Sequence, residues 1–502
     1  MIAPLALVAL VTVPLLAALL TVVVSRRGAL IALLAVAGVL AALAVLLPTV
    51  FQRGVLALSI GGWDAPLGIT LRADGLALAF LTMAALVMAA VLISARPAFA
   101  VRGGDAEMRS QWAFWPFALL LWSALNIVFL SRDLFNLYVA LELLTIAAVA
   151  LVAIDGKAGS LAAALRYMIL ALLGSLAYLL GAALVYAAHG TLDLTLLAAQ
   201  RIGADSLRGV AVADLVAAGL ITAGLVVKTA LFPFHAWLPP AHSGAPAPAS
   251  AMLSALVPKA SFVILIRLWF EALPGLGSLT LLTMIGALGG AAVIYGAIQA
   301  LRQTRLKLVI AYSTVAQIGY LFLIFPLAGG DSYVQPWAAG AWTGALFQAL
   351  SHGLAKAAMF LCAGVWIVAA GHDRLSGMRG LANATPMTAF AFALAAVTLI
   401  GLPPSGGFTA KYLMLTSAFA SGQVAWGMFL IVGGLLSAAY LYRPVAMAFA
   451  RDDTAIFAPV PRTLEVAPLL LALAAIGLGL ASQAPFSLLQ LGRPASAAEG
   501  LE

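Results

Sequence analysis

Lys228, Lys259, Lys356 and Lys411 are four of only six lysines in the 502-residue chain, and each falls inside a stretch apolar enough to cross a membrane. An uncompensated charge at a bilayer centre costs roughly 2.5–3.5 kcal/mol. Ionisable groups persist there where they pair, meet water or carry ions, so this placement points to charge movement across a membrane. Lysine suits that task because burial and neighbouring charge decide whether it holds its proton.

Glu142, in DLFNLYVALELLTIAAVALVA, is the only carboxylate deep inside a predicted span. It is either a packing or assembly contact, or the partner of Lys228. Lys259 lies midway through the window 249–270, directly after Pro258, so snorkelling to the interface does not account for it. Arg267, beside Trp269 at the predicted end of that window, reads as an interfacial anchor. His352 and Lys356 stand four apart and share a helix face, where a histidine titrating near neutrality could relay a proton. His235 and His242 fall at a helix break and its following loop, where a pathway mouth and a plain loop role are equally open.

Two interrupted helices sit among these residues. One reads Lys228-Thr-Ala-Leu-Phe-Pro233-Phe-His235-Ala-Trp-Leu-Pro239-Pro240, the other Gly401-Leu-Pro403-Pro404-Ser-Gly406-Gly407-Phe-Thr-Ala-Lys411. Proline inside a helix removes a donor and frees a carbonyl, which membrane depth tolerates only under cover of protein or water. Breaks at corresponding places in two halves point to an inverted repeat with the pathway at its interface.

The elements that must position these groups follow from composition. Hydrophobic residues make up 64% of the chain and charged residues 9%. About 20 apolar residues span a bilayer, and counting such windows predicts an all-α polytopic membrane protein of about fourteen helices. The expected organisation is an N-terminal three-helix segment over 1–111, five-helix repeats over 112–270 and 277–450, and a final helix with a short tail over 451–502. A short surface hairpin is expected within 49–74. An amphipathic interfacial helix is expected within 189–209, with Asp193, Arg201, Asp205 and Arg208 on its wet side.

The first arginines, Arg26 and Arg27, follow the first apolar run, unlike a cleavable signal. Alternate loops are basic, which predicts a cytoplasmic-membrane protein with both termini outside. The net charge of +8 reflects that bias and is no nucleic-acid signal. Cys362 is the single cysteine, so the chain alone builds no disulfide and no thiolate-ligated cluster. The glycines at 286, 289 and 290 read as helix packing rather than as a phosphate cradle, and no cofactor or metal is expected.

The stretches DLFNLYVALELL (133–144), KTALFPFHAWLPPAHSGAPAPASAMLSALVPKASF (228–262), KLVIAYSTVAQIGY (307–320), SHGLAKAAMFLCAGV (351–365) and GLPPSGGFTAKY (401–412) carry a resemblance. The sequence resembles the antiporter-like membrane subunits of respiratory complex I, membrane-bound hydrogenases and multi-subunit Mrp cation/proton antiporters, and looks most like the Mrp D-type subunit. The resemblance implies two inverted five-helix repeats and proton transfer through Glu142, Lys228, Lys259 and Lys411, with His352 and Lys356 connecting. It also implies partner membrane subunits and protons as the transported species, with Na+ as the exchanged ion. Pro258 beside the central lysine departs from the family pattern. A complex I or hydrogenase type of assembly is the alternative. A stand-alone transporter of an organic solute and a non-conducting scaffold are the readings from other classes.

Overall fold

With no water in hydrocarbon to satisfy it, the backbone of these apolar runs closes its hydrogen bonds internally as helix. The computed structural model describes residues 2–101, 107–203, 212–273, 276, 278–329, 335–452 and 455–493. Helices α1 (Ile2–Val23), α2 (Gly28–Arg53) and α3 (Gly75–Phe99) come first. Between α2 and α3 lies the expected antiparallel hairpin, β1 (Leu56–Ser59) and β2 (Thr70–Ala73).

The next series runs α4 (Arg109–Leu130), α5 (Leu134–Ala153), α6 (Ala158–His189) and the short α7 (Leu194–Gly203). Then α8 (Val212–Thr229) breaks before α9 (Leu238–Gly244), and α10 (Ala247–Ala255) continues into α11 (Val257–Arg267). A second series follows with α12 (Leu279–Arg302), α13 (Leu306–Leu321), α14 (Ile324–Ala328), α15 (Pro336–Ala370) and the single turn α16 (Leu381–Ala384). Its broken crossing is α17 (Pro386–Ile400) and α18 (Gly406–Ala420), followed by α19 (Val424–Phe449). Finally come α20 (Arg462–Leu480) and α21 (Gln483–Leu491).

Thirteen helical stretches among the described residues are long and apolar enough to cross a membrane. The α17/α18 pair supplies a fourteenth crossing, so the chain is a multi-pass helical membrane protein as expected. Each series crosses five times, with the break in the fourth crossing. Five is odd, so the second series starts on the opposite face and runs inverted to the first.

Close approach between α12 and α13 requires glycine. A methyl group on Gly289 would lie 2.6 Å from the Gly319 carbonyl oxygen, and one on Gly319 would lie 2.3 Å from that of Gly289. The glycine cluster is therefore a packing surface. Helix α15, 35 residues long, packs against α3, α10, α13, α17, α18 and α20 and is the axle of the second series.

One surface expectation is corrected. Asp193 is not on a wet face: it is buried, and its carboxylate accepts from the Thr195 and Leu196 N–H groups at 2.9 and 3.0 Å. An aspartate just before a helix satisfies otherwise orphaned donors. Asp205, Arg208 and the side chain of Arg201 lie outside the described residues.

Candidate functional site

Helix α8 carries Lys228 in its last turn, immediately before the first break. Lys228 Nζ donates to Glu142 Oε1 at 2.9 Å and to Thr145 Oγ1 at 3.0 Å, joining α8 to α5. Ser175 on α6 also hydrogen-bonds Glu142. A cavity of about 10 Å³, close to the volume one water needs, is lined by Lys228, Thr145, Tyr167 and Ser261. A carbonyl freed at the break is satisfied by protein, although Pro233 and Phe234 within it are exposed. The Val227 carbonyl accepts from Ala230 N–H at 3.1 Å and from the Trp237 indole at 3.0 Å. Pro233 lies within the break, whereas Pro239 sits in the first turn of α9, where a missing N–H costs nothing.

Pro258 sets the position of Lys259. Lacking an N–H, it leaves the Ser254 carbonyl four residues earlier without its helical donor, and the helix steps from α10 to α11 at Leu256. Lys259 Nζ fills that place, donating to Ser254 O at 3.0 Å. The same Nζ lies 2.5 Å from His352 Nδ1 on α15. One turn further along α15, Lys356 Nζ donates to the Ile310 carbonyl at 3.0 Å and to the Ser313 hydroxyl, both on α13. Lys259, His352 and Lys356 are all buried. Thr229 Oγ1 meets Ser261 Oγ at 2.9 Å, so the turn holding Lys228 is tied to the helix holding Lys259.

At the second break the lysine is itself the cap. Lys411 Nζ donates to the Leu399 and Ile400 carbonyls, each at 2.9 Å, and lies 4.5 Å from the centre of the Tyr320 ring. A cation there meets the unsatisfied carbonyls and negative dipole end of α17. Gly401, at φ 90°, turns the chain, and a methyl group on it would lie 2.8 Å from Lys411 Cδ. Pro403 and Pro404 occupy the break, and Gly406 opens α18 where a methyl group would meet Ser351 Oγ at 2.5 Å. Lys228 has a carboxylate partner; Lys411 has none among the described residues.

Two expectations fail here. Arg267 is no interfacial anchor: it is fully buried, donates twice to Asp74 at 2.9 and 3.0 Å, and pairs with Glu271 at 2.9 Å. Glu271 also pairs with Arg132. Away from water, the guanidinium is held by two carboxylates rather than by headgroups. Burial alone would raise the pKa of Asp74, but Arg267, Arg132 and Arg72 outweigh it and hold that carboxyl at about 2. His242 is not in a loop either; it is buried in α9 and stacked on Phe360 at 4.6 Å. His235 packs beside Phe232 and Tyr295.

Sequence reasoning also passed over a polar cluster beside Lys356 and Lys411. Gln317 Nε2 donates to the Leu399 carbonyl at 3.0 Å, Ser437 Oγ at 3.2 Å and Tyr440 OH at 3.3 Å. Gln348 Nε2 donates to Gln317 Oε1 at 2.9 Å. The available signal was two glutamines inside apolar windows.

A multi-pass chain with two inverted broken-helix series and buried lysines touching across them has the architecture of an ion-translocating membrane subunit. The family described as "NADH:quinone oxidoreductase/Mrp antiporter, TM" matches residues 131–437, and the chain belongs to it. It is 35% identical over 396 residues to the N subunit of the NADH-quinone oxidoreductase of Desulforudis audaxviator, covering 78% of this chain and 75% of that protein. It is 30% identical over 406 residues to the D subunit of the Na(+)/H(+) antiporter of Alkalihalophilus pseudofirmus, covering 80% and 78%. Among solved structures, a chain of the Mrp complex from Dietzia sp. DQ12-45-1b superimposes with a TM-score of 0.86 at 25% identity, covering 97% and 96%.

Proposed function

We propose that this chain is a proton-translocating membrane subunit of a multi-subunit complex, acting as the D-type subunit of a monovalent cation (Na+)/H+ antiporter. The observation that carries the reading is the Lys228–Glu142 ion pair at 2.9 Å, set beside a helix break in a chain of this family. In this reading Glu142 and Lys228 form the first half of the path within 112–270. Lys259, His352 and Lys356 join it to Lys411 within 277–450. The similarity to an antiporter D-type subunit and to a chain of an Mrp complex supports partner membrane subunits. The basic alternate loops favour both termini outside the cytoplasmic membrane.

The N subunit of a quinone oxidoreductase, at 35% identity, favours a second reading in which electron transfer in other chains drives the same proton path. The test is proton translocation by the assembled complex in everted membrane vesicles, read with a pH-sensitive dye. Glu142→Ala and Lys228→Ala each abolish translocation if the proposal holds; wild-type rates in both sink it. Drive by a sodium pulse supports the antiporter reading, and drive only by a quinone-linked reductant supports the second.

A further inference from the structure

We propose that the pocket between the hairpin and the start of α7 binds the headgroup of a zwitterionic phospholipid, its phosphate on Arg72 and Arg132 and its ammonium on Asp64 and Asp193. The inference is independent of the proton path. A cavity of about 390 Å³ opens there, and these four charged residues line it together with Thr70 and Thr195. Backbone hydrogen bonds hold its floor. Ala57 pairs with Arg72 across the hairpin, and residues 131–133 extend the ladder beyond β2 through a bridge from Leu71 to Ser131. Arg132 N–H donates to the Thr70 carbonyl at 3.2 Å, and the Arg132 carbonyl accepts from Leu194 N–H at 2.8 Å. Asp133 bridges to Asp193 on the far side. Thr70 and Arg72 stand two apart on β2 and so share a face. The ladder thus sets the positions of Arg72, Arg132 and Asp193 without a ligand.

Opposite charges line this pocket without neutralising one another. Among the described residues no ion pair joins either arginine to Asp64 or Asp193. Arg132 pairs with Glu271, and Arg72 Nε lies 3.6 Å from Asp74; neither carboxylate lines the pocket. Arg132 is only 2% exposed, yet its Nε has no hydrogen-bond partner, and neither has that of Arg72. Asp64 accepts from the Ser59 hydroxyl at 2.7 Å, and Asp193 from the N–H groups that open α7, so neither aspartate meets a cation. An unsatisfied buried guanidinium is costly, and a phosphate meets its planar fork with paired N–H···O bonds. A phosphate alone would be repelled by the two carboxylates. A group carrying both a phosphate and an ammonium satisfies both.

Depth favours a lipid over a solute. Arg132 lies in the short connector between the end of α4 at Leu130 and the start of α5 at Leu134, where two crossings reach the membrane surface. The hairpin tip beside Asp64 exposes Trp63, a residue type that settles at headgroup level, and Leu67, which acyl chains can cover. Phosphatidylethanolamine has the required chemistry, because its primary ammonium carries three N–H donors for the carboxylates.

The experiment uses the full chain in its assembled complex, delipidated in detergent and then given phosphatidylethanolamine or phosphatidylglycerol, with bound lipid counted by native mass spectrometry. Wild type should bind phosphatidylethanolamine about tenfold more tightly than phosphatidylglycerol, which has the phosphate but no ammonium. Arg72→Gln should weaken phosphatidylethanolamine binding about tenfold. Asp64→Asn should leave phosphatidylglycerol bound and remove most of the preference between the two lipids. Should Arg72→Gln fail to assemble, Asp64→Asn, at an exposed position, carries the test through that loss of preference. Equal binding of the two lipids by wild type overturns the proposal, and so does wild-type affinity and preference in the variants. Free phosphoethanolamine at the same concentration should not displace the lipid; displacement would overturn the lipid as the source of the headgroup.

Discussion

Lys259 Nζ lies 2.5 Å from His352 Nδ1, although 93 positions separate the two residues in the chain. The contact crosses from α11 in the first series to α15 in the second, and it is the point at which the two halves of the candidate path touch. An ammonium donates to Nδ1 only if that nitrogen carries no proton, so a neutral His352 bears its hydrogen on Nε2. The two residues should therefore behave as one unit. Lys259→Ala and His352→Ala are each expected to lower translocation about tenfold or more, and the double variant to be no slower than the worse single one. Multiplying effects in a double-mutant cycle would show that the pair does not act together.

Pro258 separates stability from function. Pro258→Ala restores the N–H that the Ser254 carbonyl lacks and takes from Lys259 one of its two acceptors. The expected outcome is a melting temperature at or above wild type together with slower translocation. A faster or unchanged rate would remove Ser254 from the account of how Lys259 is held.

Glu142→Gln keeps an acceptor for Lys228 but removes the countercharge of an ammonium that is 6% exposed. Breaking a buried pair by one partner costs about 3–5 kcal/mol, and partial exposure of Glu142 places this case at or below the lower end. The variant should lose translocation and melt several degrees lower in detergent. Glu142→Gln with a wild-type melting curve would mean that Thr145 alone carries the lysine.

Asp74 gives a pH dependence with a definite sign. Its carboxyl titrates at about 2 in the folded chain, against an ordinary value of 3.8. A depressed folded-state pKa stabilises the fold fully above the unfolded value and loses that contribution as pH falls through the folded one. The contribution, on the order of 2 kcal/mol, should thus fade between about pH 4 and 2. Thermal unfolding of the protein followed across that window should show a steeper acid loss in wild type than in Asp74→Asn. Parallel curves would detach Asp74 from acid stability.

The sequence alone determined the class of molecule, because apolar length and charge scarcity leave a chain no choice but to span hydrocarbon as helices. It also determined the two breaks, since proline and glycine act locally, and it singled out Glu142 and the four lysines by their cost at depth. Only tertiary structure decided their partners. Arg267 beside Trp269 has the local pattern of an anchor, yet Asp74, 193 positions away, reaches it and makes burial tolerable. His242 has the local pattern of a loop residue until α9 forms and Phe360 on α15 covers it. Gln317 shows only as a glutamine in an apolar window and Tyr440 carries no local signal, and they become a cluster only when α13, α15 and α19 meet near Lys411. The cost of burying a group is written in its own type, whereas what offsets that cost arrives from distant chain segments.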